Sequence, residues 1–198
     1  MTIKAVASVL LFVLGILMHL PAMAEIGEGV MLAYTCAGCH GTNGNSKGPA
    51  TPSLAGASKD YIIEVMEYYQ TGERVSTIMG RIAKGYTKDE VKAIAEFFSK
   101  QTFVPAKGQK FDAKLAKKGA KLHDKYCEKC HAEGGTSSED DAGILAGQWT
   151  PYLKYTLADM LAGNSHVPDK MKKKLKKMHE KTGDTGIEQL LDYYMSRR

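Results

Sequence analysis

The sequence predicts an all-α protein built from two copies of one small module. Three observations lead there. Helical periodicity recurs, while strict alternation and runs of β-branched residues are scarce. The stretches YTCAGCHGTNG (34–44) and KYCEKCHAEGG (125–135) repeat one pattern and contain all four cysteines, Cys36, Cys39, Cys127 and Cys130. Matching residues then follow at matching distances. Leu54-Ala55-Gly56 begins 14 residues after His40, Leu145-Ala146-Gly147 begins 14 residues after His131, and Tyr61 and Tyr152 each stand seven beyond the leucine. Self-similarity on a scale of about 90 residues marks a tandem duplication, not a solenoid.

The elements follow in order. Lys4, an almost wholly apolar run from Ala5 to Leu17, Pro21 and the box Ala22-Met23-Ala24 have the order of a secretory signal, expected to be cleaved after residue 24. The apolar run is short for a membrane span of about 20 residues. The remaining chain, 25–198, holds 26 Lys and Arg (27 less Lys4) against 22 Asp and Glu. A net charge of +4 is too mild to argue for nucleic acid, and no membrane span is expected once the signal is removed. The first module is read as 25–101, with an amphipathic segment YIIEVMEYYQTGE (61–73) and a closing helix around AIAEFF (93–98). Pro105 and Gly108 interrupt helical periodicity in QTFVPAKGQKFD, so 102–112 is read as a linker. The second module, 113–198, repeats the plan with YLKYTLADMLAGN (152–164) and QLLDYY (189–194). Short helices bury only a modest core, so each module needs further apolar mass at its centre.

The repeated motif names that mass. Cys-x-x-Cys followed at once by His is the attachment signature of c-type haem. Two intervening residues set the sulfurs about a helical turn apart, within reach of both vinyl groups, and the next side chain faces the iron. Cys36 and Cys39 are thus the expected covalent anchors of one haem c, with His40 as axial ligand. Cys127, Cys130 and His131 take the same roles for a second. A four-cysteine zinc site would join pairs nearly ninety residues apart, outside zinc-ribbon spacing. A thioredoxin-like dithiol needs a βαβ context that is not found.

Methionine is the usual sixth ligand of electron carriers. Met79 lies 39 residues after His40 and Met171 lies 40 after His131, and no other methionine keeps that register. Met171, Leu175 and Met178 also recur at helical spacing and could be a core face. His166 and His179 are rival ligands for the second iron, and His123 reads as a surface histidine. A ligating histidine donates its other ring N–H to a carbonyl or carboxylate. Pro49 in GPATPSLAG is the candidate for His40. Asp140 stands at the same offset from His131, whose partner stays open. Lysines in PDKMKKKLKK (168–177) make either a solvated helix face or a docking surface for an acidic partner. Trp149 and Tyr152 border the second haem or belong to the core.

Each half resembles a class I cytochrome c, with CxxCH near its start and a ligand methionine near its end. STIMGRIAKGY, GAKLHDKYCEKCHAEGG and ILAGQWTPYLKY are similar to the dihaem cytochrome subunits of flavocytochrome c sulfide dehydrogenases, over nearly all of the chain after the signal. The resemblance implies two tandem class I domains, each wrapped around one covalent haem, in the periplasm. It implies a heterodimer with an FAD-containing flavoprotein that oxidises sulfide, FAD being on the partner only, and a soluble cytochrome c as acceptor. It carries Cys36, Cys39, His40 and Met79 onto the first haem, and Cys127, Cys130, His131 and Met171 onto the second. With both irons capped the chain is no enzyme by itself. It lacks a dinucleotide fingerprint, since GEGVML (27–32) has no third glycine and no preceding strand. The alternatives are a free-standing dihaem shuttle feeding a terminal oxidase, or, if Met171 is not a ligand, a second haem open to peroxide or small ligands.

Overall fold

A computed structural model describes residues 27–197. The expected signal, 1–24, lies outside them. Two helical modules stand in tandem, and no strand occurs among the described residues. The first contains α1 (Glu28–Tyr34), α2 (Ala37–His40), α3 (Lys59–Thr71), α4 (Met79–Ala83) and α5 (Lys88–Ser99). The second contains α6 (Ala113–Tyr126), the short turn α7 (Ala132–Gly135), α8 (Thr150–Leu161) and α9 (Asp169–Ser196), broken at Gly183, where φ is 59°.

Local sequence explains the helix ends. Ser58 caps α3 by accepting from Tyr61 N–H, and Gly72 ends it at φ 83°, a conformation that favours a residue without Cβ. Thr87 and Glu90 form a reciprocal capping box on α5. Asp112 accepts from the backbone of Lys114 and Leu115 to start α6. Each module then has its own core: Ile62, Met66, Val91, Ile94 and Phe98 in the first, Leu153, Met178, Ile187, Leu190, Leu191 and Tyr194 in the second.

The duplication is written into the backbone hydrogen bonds. His40 N–H donates to Cys36 O and His131 N–H to Cys127 O, at 2.9 and 3.0 Å. Leu54 and Ala55 both donate to Gly44 O, and Leu145 and Ala146 both donate to Gly135 O. Gly56 donates to Phe98 O and Gly147 to Tyr194 O, tying each Leu-Ala-Gly loop to the last helix of its module. In both modules a glycine lets the first helix cross the last one closely: Gly29 faces Ala93, and Gly119 faces Gln189. The copies differ at the methionine segment. Met79 opens a separate short helix, whereas Met171 lies in the first turn of the long α9.

The linker is bound to both modules. Asn45 donates to Thr102 O and accepts from Val104 N–H on one side. Gln109 donates to Gln148 O and accepts from Thr150 N–H on the other. Across the seam, buried Gln148 accepts from Ser53 N–H at 2.8 Å and donates to Ser53 O at 3.0 Å. Trp149 Nε1 donates to Ser46 O at 3.1 Å, with its indole over Gly48. Trp149 thus packs on the first module. Replacing Gln148 with alanine strands a buried N–H and C=O, each costing about 1–3 kcal/mol. Chemical denaturation is expected to show a loss of about 2–4 kcal/mol.

Candidate functional site

α1 ends at Tyr34, and the chain turns at once into Cys36 and α2. That turn directs Cys36 inward and leaves Cys39 exposed; Cys127 and Cys130 repeat this arrangement. Burial pushes the Cys36 thiol up, and it pushes Cys127 up to about 11. These are not the depressed thiols of a dithiol redox centre. No group of three or more His, Cys, Asp or Glu side chains placed to hold a metal ion occurs among the described residues.

His40 is 6% exposed, and its Nδ1–H donates to Pro52 O at 2.8 Å. Pro52, not Pro49, supplies the carbonyl: the loop runs three residues further before it returns to the imidazole. His131 Nδ1–H donates to Gly143 O at 3.1 Å, so a backbone carbonyl fills the place for which Asp140 was considered. Both acceptors lie 12 residues beyond their histidine. Burial holds both imidazoles below the ordinary histidine range, and the carbonyl bonds oppose it in part. Neutral rings with Nδ1–H engaged leave Nε2 as the free lone pair, the form an iron takes.

His40, Cys36 and Met79 line one apolar cavity. Its empty volume is about 930 Å³, open mouth included, within the range of clefts that take cofactor-sized ligands. Leu54, Ile62, Val65, Met66, Ile82 and Ile94 make its walls, and Gly143, Ile144, Gln148 and Tyr152 close it from the second module. Tyr152 therefore borders the first site.

In the second module Cys127 and His131 are presented in the same way, and Leu122, Leu145, Leu157, Leu161 and Leu175 pack about Cys127 and the core. Met178 is fully buried, and its sulfur accepts from Thr182 Oγ1 at 3.1 Å. Met171 is only partly buried, in the first turn of α9. The rival histidines are engaged elsewhere. His166 stacks on Tyr68 with ring centres 4.3 Å apart and faces Glu73, and His179 bonds Asp184 at 3.1 Å. The lysines from Lys170 to Lys177 are exposed. His123, expected at the surface, is 1% exposed. Its Nε2–H donates to the Glu128 carboxylate at 2.6 Å and its Nδ1 accepts from Tyr194 at 2.9 Å. Glu128 also accepts from Gly134 N–H and so ties the motif to the turn after it.

The cytochrome c family model matches residues 24–102. A cytochrome c4 from Stutzerimonas stutzeri is 32% identical over 178 residues, covering 78% of this chain and 81% of that protein. The chain belongs to the cytochrome c family. A cytochrome subunit of sulfide dehydrogenase from Chlorobaculum tepidum is 48% identical to this cytochrome over 80 residues, 39% of this chain and 72% of the relative. The crystal structure of reduced recombinant cytochrome c4 from Pseudomonas stutzeri superposes with a TM-score of 0.72 at 25% identity, covering 87% of this chain and all of that one. This cytochrome is therefore an all-α tandem of class I modules that binds haem c and transfers electrons. The residues present fit such a group: an apolar cavity bears a neutral histidine, an inward cysteine and a methionine.

Gly143 joins the two sites. A Cβ on it would meet the Tyr61 hydroxyl at 2.7 Å and Cζ at 2.8 Å. The ring of Tyr61 packs against the first core and cannot retreat, so Gly143→Ala must shift the backbone that holds His131. Denaturation is expected to show a loss of about 1–3 kcal/mol, and a redox titration a change at both sites, since Gly143 holds His131 and with Tyr61 lines the first cavity.

Proposed function

We propose that this chain is the dihaem electron-transfer subunit of a sulfide-oxidising flavoprotein complex in the periplasm. One module, 25–101, carries a haem on Cys36 and Cys39, with His40 and Met79 as axial ligands. The other, 113–198, carries a haem on Cys127 and Cys130, with His131 and Met171, and 102–112 joins them. One observation carries the reading: Cys36, His40 and Met79 meet in one apolar cavity, with His40 Nδ1–H held by Pro52 O. When bound, each haem supplies a one-electron Fe(III)/Fe(II) couple.

The protein's own residues do the rest. Pro52 O and Gly143 O keep the axial histidines in one tautomer and orientation, so little moves when charge changes. Met79 and Met171 would be the methionine ligands of the two haems, which would favour the ferrous state and leave no open iron for substrate. The aliphatic walls keep water from the centre. Substrate chemistry then belongs to another chain, and two modules drain a two-electron flavin in single steps before a soluble cytochrome c takes the electrons. Met178 is left to the core, where it is fully buried.

A free-standing shuttle feeding a terminal oxidase is the second reading. It is favoured by the length of the match to cytochrome c4, which spans both modules. Gentle isolation of the native protein through this chain separates the two. A co-purified flavin band, bleached by sulfide as the haems reduce, is expected. A two-haem spectrum without flavin and unresponsive to sulfide would establish the shuttle instead.

A further inference from the structure

Arg74 follows α3 and is only 7% exposed. Its backbone pairs with Ser165 of the second module, so it stands on the seam. Its side chain reaches three tyrosines. Nη2 donates to the Tyr152 hydroxyl at 3.3 Å, and Tyr61 and Tyr69 stand close enough to act on the guanidinium electrostatically. The Tyr69 ring lies 5.4 Å from the guanidinium carbon. Tyr61 and Tyr69 come from the first module and Tyr152 from the second.

The group lacks a counter-charge. Among the described residues no carboxylate forms an ion pair with Arg74. Glu73, beside it in sequence, faces His166. Burial holds the Tyr61 phenol well above its ordinary range and raises that of Tyr69, so both stay neutral. A buried cation among neutral groups is costly and calls for an anion.

Hydrogen-bond polarity says where that anion sits. A guanidinium only donates. Each phenol oxygen that meets it must accept, and its own O–H is left to donate elsewhere. The cluster is therefore rich in donors and poor in acceptors, and Tyr61, Tyr69 and Tyr152 line the cavity shared by Cys36, His40 and Met79. Arg81 and Lys84 line the adjoining cleft with Arg74 and extend the positive potential.

We propose that Arg74, with the hydroxyls of Tyr61, Tyr69 and Tyr152, is a carboxylate-binding site that holds a propionate of the first haem at the seam. The inference rests on the haem reading above. Arg74 is then a positioning residue that ties the cofactor of one module to a side chain of the other. Its charge opposes the ferric state, and it keeps the propionate ionised through the neutral range.

The test uses the full-length holoprotein with Arg74→Gln, Arg74→Lys and Tyr152→Phe. Intact mass comes first: a wild-type chain without two haems defeats the haem reading, whereas a loaded chain lets the present inference be judged alone. Spectroelectrochemical titration from pH 5 to 8 then reads both haems. Arg74→Gln is expected to move the reduction equilibrium of one haem about tenfold toward ferric, which is 59 mV for a one-electron couple. That potential should also become pH-dependent as the propionate begins to titrate. Arg74→Lys should recover much of the shift, because it restores the charge without the fork. Tyr152→Phe should give a smaller shift of the same sign, and it decides the matter if Arg74→Gln does not assemble. Loaded variants with unchanged potentials and pH profiles would overturn the proposal. So would a wild-type potential that follows the concentration of added acetate or chloride, since the anion would then come from solution.

Discussion

Met79→Ala is expected to produce the largest functional change. The reduced wild-type protein should not bind carbon monoxide if Met79 and Met171 cap the two irons as proposed. The variant should bind it at one haem of the two. The potential of that haem should fall by a large part of the ~0.8 V range that axial ligands span, since the thioether that favours ferrous iron is lost. Folding should survive. Met79 lies at the start of a five-residue helix, partly buried, and the first core closes around Ile62, Ile94 and Phe98 without it. The same experiment on the second module separates the two methionines there. Met171→Ala should open the second haem, whereas Met178→Ala should cost about 2–5 kcal/mol of stability and leave the iron capped, because Met178 is 1% exposed in the core. A carbon monoxide titration of each reduced variant measures the first outcome, and denaturation the second. Carbon monoxide bound by Met178→Ala but not by Met171→Ala would exchange their roles.

Gly119→Ala is expected to be the most damaging substitution for the fold. A Cβ there would stand 1.9 Å from Gln189 O and 2.5 Å from its carbonyl carbon. Both are backbone atoms of α9 and have no rotamer in which to escape. Alanine is better than glycine inside a helix by about 1 kcal/mol, but parting α6 from α9 costs more than that. A net loss of about 3 kcal/mol is expected, on the order of 10–20 °C in the melting of a module of this size. The equivalent change in the first module should be mild. At Gly29 the nearest backbone oxygen, Ala93 O, is 3.1 Å away, so a shift of a few tenths of an ångström suffices. Thermal unfolding of the two variants side by side checks the contrast. Equal losses would mean that the two crossings are equally tolerant.

The chemistry of this chain is legible because it is local. CAGCH and CEKCH place each proposed anchor and histidine ligand on one turn, and no distant residue is needed to see it. The duplication is legible for a related reason: repeated offsets survive in sequence, as with Leu54 and Leu145, or Tyr61 and Tyr152, after the two histidines. The supporting contacts were harder to read. The sequence points to the Pro49 carbonyl for His40, yet loop curvature delivers that of Pro52. The common offset of 12 residues to Pro52 and Gly143 was present in the sequence, but two unlike residues share it, since a backbone carbonyl can come from any side chain.

The sequence by itself determined the haem motifs, the all-α class, the two-module plan and the register of the methionines, because each rests on spacing along the chain. Tertiary structure alone decided the burial of His123, the seam pairing of Gln148 with Ser53, and the place of Trp149 and Tyr152 against the first module. It also decided the gathering of Arg74 with three tyrosines from α3 and α8. These contacts join residues as far apart as 103 positions, as in Ser46 and Trp149. Their partners are chosen when the modules dock and solvent leaves the seam, and a buried polar group then takes whichever donor or acceptor the packing brings within reach.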